Sequence, residues 1–428
     1  MSIMLKLTRN TLIAVLLMRT VNQSQATETD IKFQLVQGKW SPATRAAIEQ
    51  LIAKHAVPDD TAESKRVYAV FDWDDTSIIN DVTDKFFLYQ MDRLAYKLSP
   101  AEFSKVLRKT IPEKPLAESI KNIAGKPLTF AKLTADIERD YLYLYNHYEG
   151  MAGKQSLETV TQTDAFKDFK TKLYFLFGAI IESHGQLVAY PWEIFFCANM
   201  TESEVDALAL ASIRHSLQTG IAQVELTSPK IPAGQSGQVK ISFNDGMRVV
   251  PEIANLMHVL QRNGIDVFVV SAGFEPLVRT IASRPEFGYQ LPANRVYGLR
   301  LETNDEGRYL AQSKKDYPVS YREGKPALVR QLIAPGKGNR EPVFVAGDSN
   351  SDYGNFSLLP NVELGLIVNH LSSGDFGEIS RQAAEHLGKP NPRWVLQGVD
   401  ESIGLWSPSE KTLKIGSNEA RLLRPDTP

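Results

Sequence analysis

Three carboxylates fall within four positions at the end of a short apolar run. Val67, Tyr68, Ala69, Val70 and Phe71 lead directly into Asp72, Trp73, Asp74, Asp75 and Thr76. A run of this length, bounded by polar residues, reads as a buried strand. Crowding carboxylates at the end of a buried strand is costly unless a cation compensates them. A hard divalent ion with oxygen ligands, Mg2+ above all, is the natural compensation. An acidic surface turn could carry the same residues, so the stretch alone does not decide between packing and chemistry.

Three more places carry polar residues of matching chemistry. Val269 and Val270 run into Ser271, Ala272, Gly273 and Phe274, a strand ending in a hydroxyl and a glycine where a helix begins. Free backbone N–H groups and the helix dipole there make an anion site, and Ser271 adds a side-chain donor. Lys325, after Gly324 and before Pro326, opens an apolar helix, with Arg322, Lys314 and Lys315 as competing cations. Val343 to Ala346 is a further buried strand, followed by Gly347, Asp348, Ser349, Asn350, Ser351 and Asp352, so two acids stand four apart. By itself the last stretch could be a capped turn, but two separate acidic strand ends with a hydroxyl strand end between them are much harder to dismiss.

The elements that must hold these residues follow from the periodicity. Ser41 to His55 predicts a helix, with Ser41 as cap and Pro42 in the first turn. From Ile78 to about Phe243 the pattern is mainly helical, near 81–97, 100–110, 128–149, 164–184 and 201–218, and rich in aromatic residues. Ser228 to Gly237 reads as a loop or return linker. From Asn244 onward helix and strand alternate: helices at Pro251 to Asn263, Phe274 to Ala282 and Lys325 to Ile333, strands at Val267 to Val270, Val296 to Leu301, Val343 to Ala346 and Val362 to Val368. Such alternation implies an α/β fold with a doubly wound, mostly parallel sheet, and a ligand site at the carboxyl ends of its strands.

The chain has 428 residues, 43% hydrophobic and 23% charged, with a formal charge of −2, as in a globular protein with a sizeable core. That balance gives no footprint for nucleic acid or an anionic membrane surface. The seven His are scattered without HxH or HExxH spacing, which argues against a zinc centre. Lys6 and Arg9, the apolar stretch Thr11 to Met18, and Ser24-Gln25-Ala26 have the layout of an export signal cleaved after Ala26. Its apolar part is too short to span a bilayer, so no stable membrane anchor is expected. With one cysteine, Cys197, no intrachain disulfide can form, which fits a periplasmic or secreted protein of bacterial type.

The stretches DWDDT, VVSAG, GK and GDSNSD stand in the order and strand contexts of the haloacid dehalogenase superfamily of phosphotransferases, which this sequence resembles over about 66–80 and 245–370. The resemblance implies a Rossmann-like core with a large helical cap inserted after the first core strand. The expected organisation is a leader over 1–26, a first core part over 27–80, the cap over 81–243, and a second core part with a C-terminal extension over 244–428. It implies Asp72 as nucleophile and Asp74 as general acid and base. It implies Mg2+ held by the Asp72 carboxylate, the Asp74 carbonyl and Asp348, with Asp352 orienting a metal-bound water or Lys325. Ser271, Gly273 and Lys325 would hold the phosphoryl oxygens, and Thr76 would brace the first loop. The second acid, Asp74, favours phosphomonoester hydrolysis over carbon–halogen cleavage.

Within the superfamily the SAGF stretch is similar to phosphoserine-phosphatase relatives. The exported start and aromatic cap look closest to secreted phosphorylcholine phosphatases. A choline head group would want aromatic faces and a carboxylate. Trp73, Tyr190 and Trp192 are the candidate walls, and Asp84 stands about where that family has an acidic contact, usually a Glu. The leading expectation is thus an exported, Mg2+-dependent phosphomonoesterase acting on a small phosphate ester. The alternatives are a phosphotransferase, a phosphoserine or sugar-phosphate phosphatase, and a non-catalytic phosphate- or amine-binding protein on the same fold.

Overall fold

The structure is a computed structural model, and it describes residues 34–231 and 233–423. The expected leader and its cleavage point lie outside the described residues. Helix α1, Pro42–His55, precedes the first core strand β1, Tyr68–Phe71. A two-residue strand β2, Ile78–Ile79, pairs antiparallel with β5, Arg248–Val249, and this pair forms the stem of the insertion. Between them come α2 (Val82–Asp92), α3 (Pro100–Leu107), α4 (Phe130–His147), α5 (Leu157–Thr161), α6 (Asp164–His184), α7 (Gln186–Ile194) and α8 (Glu202–Gln218).

The insertion is not wholly helical. Strands β3, Ala222–Thr227, and β4, Lys240–Asp245, form an antiparallel hairpin with Ala222 opposite Asp245. Their exposure alternates along each strand, the period-two pattern of a half-buried ribbon. The stretch Ser228 to Gly237 therefore closes a hairpin rather than returning the chain to the core. It is pinned by Asp136, whose carboxylate accepts the Gln235 N–H at 2.7 Å and the Ser236 N–H at 2.9 Å.

After the stem come α9 (Pro251–Arg262), β6 (Asp266–Phe274), α10 (Glu275–Ser283) and β7 (Val296–Leu299), then a small hairpin of β8 (Leu301–Thr303) and β9 (Tyr309–Ser313). Helix α11, Gly324–Leu328, carries Lys325 and continues as a π-helical turn over Val329–Ile333, so the expected single helix changes winding midway. Next are β10 (Phe344–Gly347), α12 (Tyr353–Ser357), β11 (Leu364–Val368), α13 (Gly374–Glu385) and β12 (Trp394–Gln397). The C-terminal region, to which the sequence assigned no role, supplies the sixth strand of the sheet.

The sheet order is β12-β11-β10-β1-β6-β7, and every pairing in it is parallel. The chain runs from β1 outward through β6 and β7, then returns to β10 on the other side of β1. This reversal makes β1 and β10 the switch point, where a crevice opens at the carboxyl ends. Strand β1 is buried on both faces: Ala69 and Phe71 enter one apolar cluster, Tyr68 and Val70 the other. Of these, Val70 and Phe71 contribute about 1.5–3 kcal/mol apiece by leaving water. The register then aligns the chemistry. Phe71 pairs with Ala346 on one side and Val269 on the other, which brings Asp72, Asp348 and Ser271 to the same end of the sheet.

Candidate active site

At that end lies a cavity of about 220 Å³ whose wall includes Asp72, Asp74, Asp348 and Gly273 from the core, and Tyr190 and Glu193 from α7. Asp72 Oδ1 accepts from Lys325 Nζ at 2.5 Å, and the same ammonium reaches Asp352 Oδ1 at 2.6 Å. Lys325 and Asp352 are fully buried. Burial alone would lower the lysine pKa, but Asp352 and Asp72 override it and hold it above the ordinary value, so Lys325 stays charged. The other Asp352 oxygen accepts the Asp348 N–H at 3.0 Å. Asp352 thus spends both oxygens on Lys325 and the Asp348 loop. A Cβ on Gly347 would come within 2.5 Å of the Asp352 carboxyl carbon, which is why the turn needs glycine.

Asp74 faces the cavity from a different set of partners. Its Oδ1 accepts the Val82 N–H at 2.7 Å and its Oδ2 accepts the Ser271 hydroxyl at 3.2 Å, while Ser271 Oγ accepts the Gly273 N–H at 2.9 Å. Burial, then the neighbouring Asp81, pushes the Asp74 carboxyl well above the usual range. That bias favours the protonated form, the form a general acid needs. A Cβ on Gly273 would lie 3.0 Å from Asp74 Oδ2, so glycine permits the close approach. Thr76 Oγ1 sits 3.5 Å from Asp72 Oδ2 and 3.4 Å from Asp348 Oδ1. Thr76, Ser271 and Lys325 are all fully buried behind the wall, each against a carboxylate in it.

The donor set fits a hard divalent cation. Oxygens of Asp72, Asp348 and Asp352 lie within 4.8 Å of one another, and all three residues are buried. One lysine leaves this trio with net negative charge. Burial, then repulsion from Asp352 and Asp72, pushes the Asp348 carboxyl well above its ordinary value, the mark of an under-neutralised oxygen site.

The aromatic expectations divide. Tyr190 lines the cavity. Trp73 is fully buried against Tyr289, with ring centroids 4.8 Å apart. Trp192 is fully buried against Phe177 and Phe196 and donates its Nε1–H to the Leu107 carbonyl at 2.9 Å. Both tryptophans are core rather than cavity wall. Asp84 accepts from Tyr174 Oη at 2.8 Å and Lys85 Nζ at 3.0 Å, so its oxygens are committed elsewhere.

Three residues not anticipated from the sequence belong here. Glu193 is buried on α7 and its Oε2 has no hydrogen-bond partner. Asp81 caps α2, accepting the N–H groups of Thr83 and Asp84, and lines the cavity. His370 lies between the first motif loop and the C-terminal region: Nε2 is 3.0 Å from the Asp75 carbonyl and Nδ1 is 3.0 Å from Glu401. Both partners are acceptors, an arrangement that favours a ring protonated on both nitrogens. Asp81 had a readable signal as an Asp two residues before Thr83 at a helix start. Glu193 had a fainter one, a single acid inside Tyr190-Pro191-Trp192-Glu193-Ile194-Phe195-Phe196.

Comparison with known proteins agrees with this geometry. A family profile described as haloacid dehalogenase-like hydrolase matches residues 231–355. A crystal structure of a conserved, functionally unknown protein from Anaerococcus prevotii superposes with a TM-score of 0.82 at 30% identity, covering 90% of this chain and 99% of that one. Residues 231–355 are thus similar to the haloacid dehalogenase-like hydrolases. Among curated proteins it is similar to a phosphorylcholine phosphatase of Pseudomonas aeruginosa, 25% identical over 241 residues, covering 50% of this chain and 64% of that protein. It is also similar to a human phosphoserine phosphatase, 25% identical over 156 residues, covering 36% of this chain and 60% of that protein. The chain thus spans less than two thirds of either relative's length.

Proposed function

We propose that this protein is an exported, Mg2+-dependent phosphomonoesterase that hydrolyses a small organic phosphate through an aspartyl-phosphate on Asp72. The observation that carries this reading is the placement of Asp72 and Asp74 in one cavity wall with opposite equipment. Asp72 is ion-paired with the Lys325 ammonium, and Asp74 is a carboxyl group biased toward its proton. The first has the charge of a nucleophile and the second the proton of an acid.

In the first half-reaction a carboxylate oxygen of Asp72 attacks phosphorus as the bond to the ester oxygen breaks, and Asp74 gives its proton to the departing alkoxide. In the second, Asp74 takes a proton from the water that attacks the acyl phosphate, releasing phosphate and regenerating Asp72. Asp72, Asp348 and the Asp74 carbonyl would hold Mg2+, which neutralises charge on the transferring phosphoryl group when bound. Lys325 and Ser271, now spent on carboxylates, and the Gly273 N–H, now given to Ser271 Oγ, are the donors that would turn to the phosphoryl oxygens. Phosphorylcholine, named in the Pseudomonas relative, is the first natural ester to try. Export is proposed from the leader pattern, and a mature chain beginning at Thr27 would support it.

The test is phosphate release in Mg2+ from p-nitrophenyl phosphate, phosphorylcholine and phosphoserine, with Asp72→Asn as control. Turnover by the wild type and none by the variant is expected. Equal turnover in Asp72→Asn would remove the nucleophile from the mechanism.

A further inference from the structure

The cap side of the cavity bears acids that the phosphoryl chemistry does not use. Glu193 is only 6% exposed, yet its Oε2 has no hydrogen-bond partner while it lines the cavity. A buried carboxyl oxygen without a partner is disfavoured, whether the group is charged or neutral, unless something that enters the cavity completes it. Asp81 lies in the same wall, with one oxygen capping α2 through Thr83 and Asp84. Among the described residues no Arg, Lys or His lines this cavity, and Tyr190 is the single aromatic in the wall.

These facts sort leaving groups by chemistry. A trimethylammonium carries no N–H and relies on several aromatic faces; it would meet one ring and leave Glu193 Oε2 unpaired. An α-carboxylate would enter a wall of acids with no cation to receive it. A primary ammonium has three N–H donors and can satisfy Glu193 and Asp81 together. The volume of about 220 Å³ also lies below the roughly 300–1,000 Å³ of pockets for drug-sized ligands, which suits a short chain.

Building on the phosphomonoesterase reading, we propose that Glu193, with Asp81 beside it, binds a primary ammonium on the leaving group, so that the preferred substrates are phosphate monoesters of small amino alcohols lacking a carboxylate. Burial, with Asp81 as the next cause, holds Glu193 toward its neutral form in the empty cavity, and an arriving ammonium would reverse that bias.

The experiment compares kcat/KM for 2-aminoethyl phosphate, n-propyl phosphate, phosphorylcholine and phosphoserine, in the wild type and in Glu193→Gln. The wild type is expected to prefer 2-aminoethyl phosphate over its n-propyl isostere by about 10²-fold or more. Glu193→Gln should collapse that ratio toward one, whatever the absolute rates. The wild-type ratio needs no variant, so a misfolded Glu193→Gln leaves the proposal testable. A wild-type ratio near one, or preference for phosphorylcholine or phosphoserine, would overturn the ammonium site while leaving the phosphomonoesterase reading intact. No turnover of any ester, p-nitrophenyl phosphate included, would instead fail the reading on which it rests.

Discussion

The two walls of the cavity handle charge in opposite ways. On the core side, Asp72 and Asp352 share the buried ammonium of Lys325, and Asp352 also holds the Asp348 backbone. On the cap side, Glu193 is also sheltered but has an oxygen with no hydrogen-bond partner among the described residues. A wall that supplies its own counter-charge is preorganised and keeps one geometry, which favours transition-state stabilisation. A wall that leaves a buried carboxyl oxygen unpaired discriminates among ligands, because only a ligand with the right donor repairs it. Chemistry and selectivity are thus separated between core and insertion, and each can be disturbed alone.

The largest effect should come from the core side. Asp72→Asn keeps the shape and the hydrogen-bonding reach toward Lys325 but removes the nucleophile. Turnover should fall by about 10⁴-fold or more, while the fold should persist because Lys325 keeps Asp352 as its charged partner. If Asp72→Asn instead unfolded the protein, the core wall would be structural first and catalytic second. Lys325→Met comes next, because it leaves Asp72 and Asp352 buried without their cation. Breaking a buried pair from one side costs about 3–5 kcal/mol, which denaturant titration would read. An unchanged midpoint would mean that the core wall is not held together by its ion pairs.

Cation binding gives a smaller, separate readout. Mg2+ at about 100 times its Kd should stabilise the fold by about 2.7 kcal/mol, measured as a thermal shift without substrate. Asp348→Asn should abolish the shift, whereas Glu193→Gln should retain it. A shift lost in Glu193→Gln and kept in Asp348→Asn would place the cation on the cap wall and reverse the comparison.

The core wall was legible in the sequence because its determinants are local. Each motif follows directly on a strand, and parallel register brings the strand ends together without further information. The cap wall was not legible for the opposite reason. Tyr190 and Glu193 are three apart on α7 and share a face, while Trp192, one residue from Glu193, points about 100° away into the core. Residue type alone drew attention to the tryptophan, and only the packed helix shows which face meets the cavity. Trp73 fails similarly: standing next to the nucleophile in sequence, it turns onto Tyr289. The β3–β4 hairpin had a readable alternation, but the connection over 228–239 exceeds the roughly 2–5 residues of ordinary hairpin loops, which hid the pairing.

The smallest effect concerns how the core wall is tied to the C-terminal region. His370 donates to the Asp75 carbonyl and to Glu401, and Glu401 also takes Lys414 at 2.6 Å. Burial would lower the His370 pKa, but the Glu401 hydrogen bond and the nearby Asp75 charge outweigh it, and the folded-state value is raised. A raised folded-state pKa means that protonation favours the fold. This stability is fully present below the unfolded value of about 6.5 and is lost as pH rises through the folded-state value. His370→Gln should therefore cost about 1.5 kcal/mol in acid, as for a hydrogen bond to a charged group, and progressively less in alkali. Unfolding titrations of both proteins across that range measure the difference directly. A cost that grew with pH would mean that the neutral ring is the native form, and that the motif loop holds its left-handed Asp75 without the C-terminal tie.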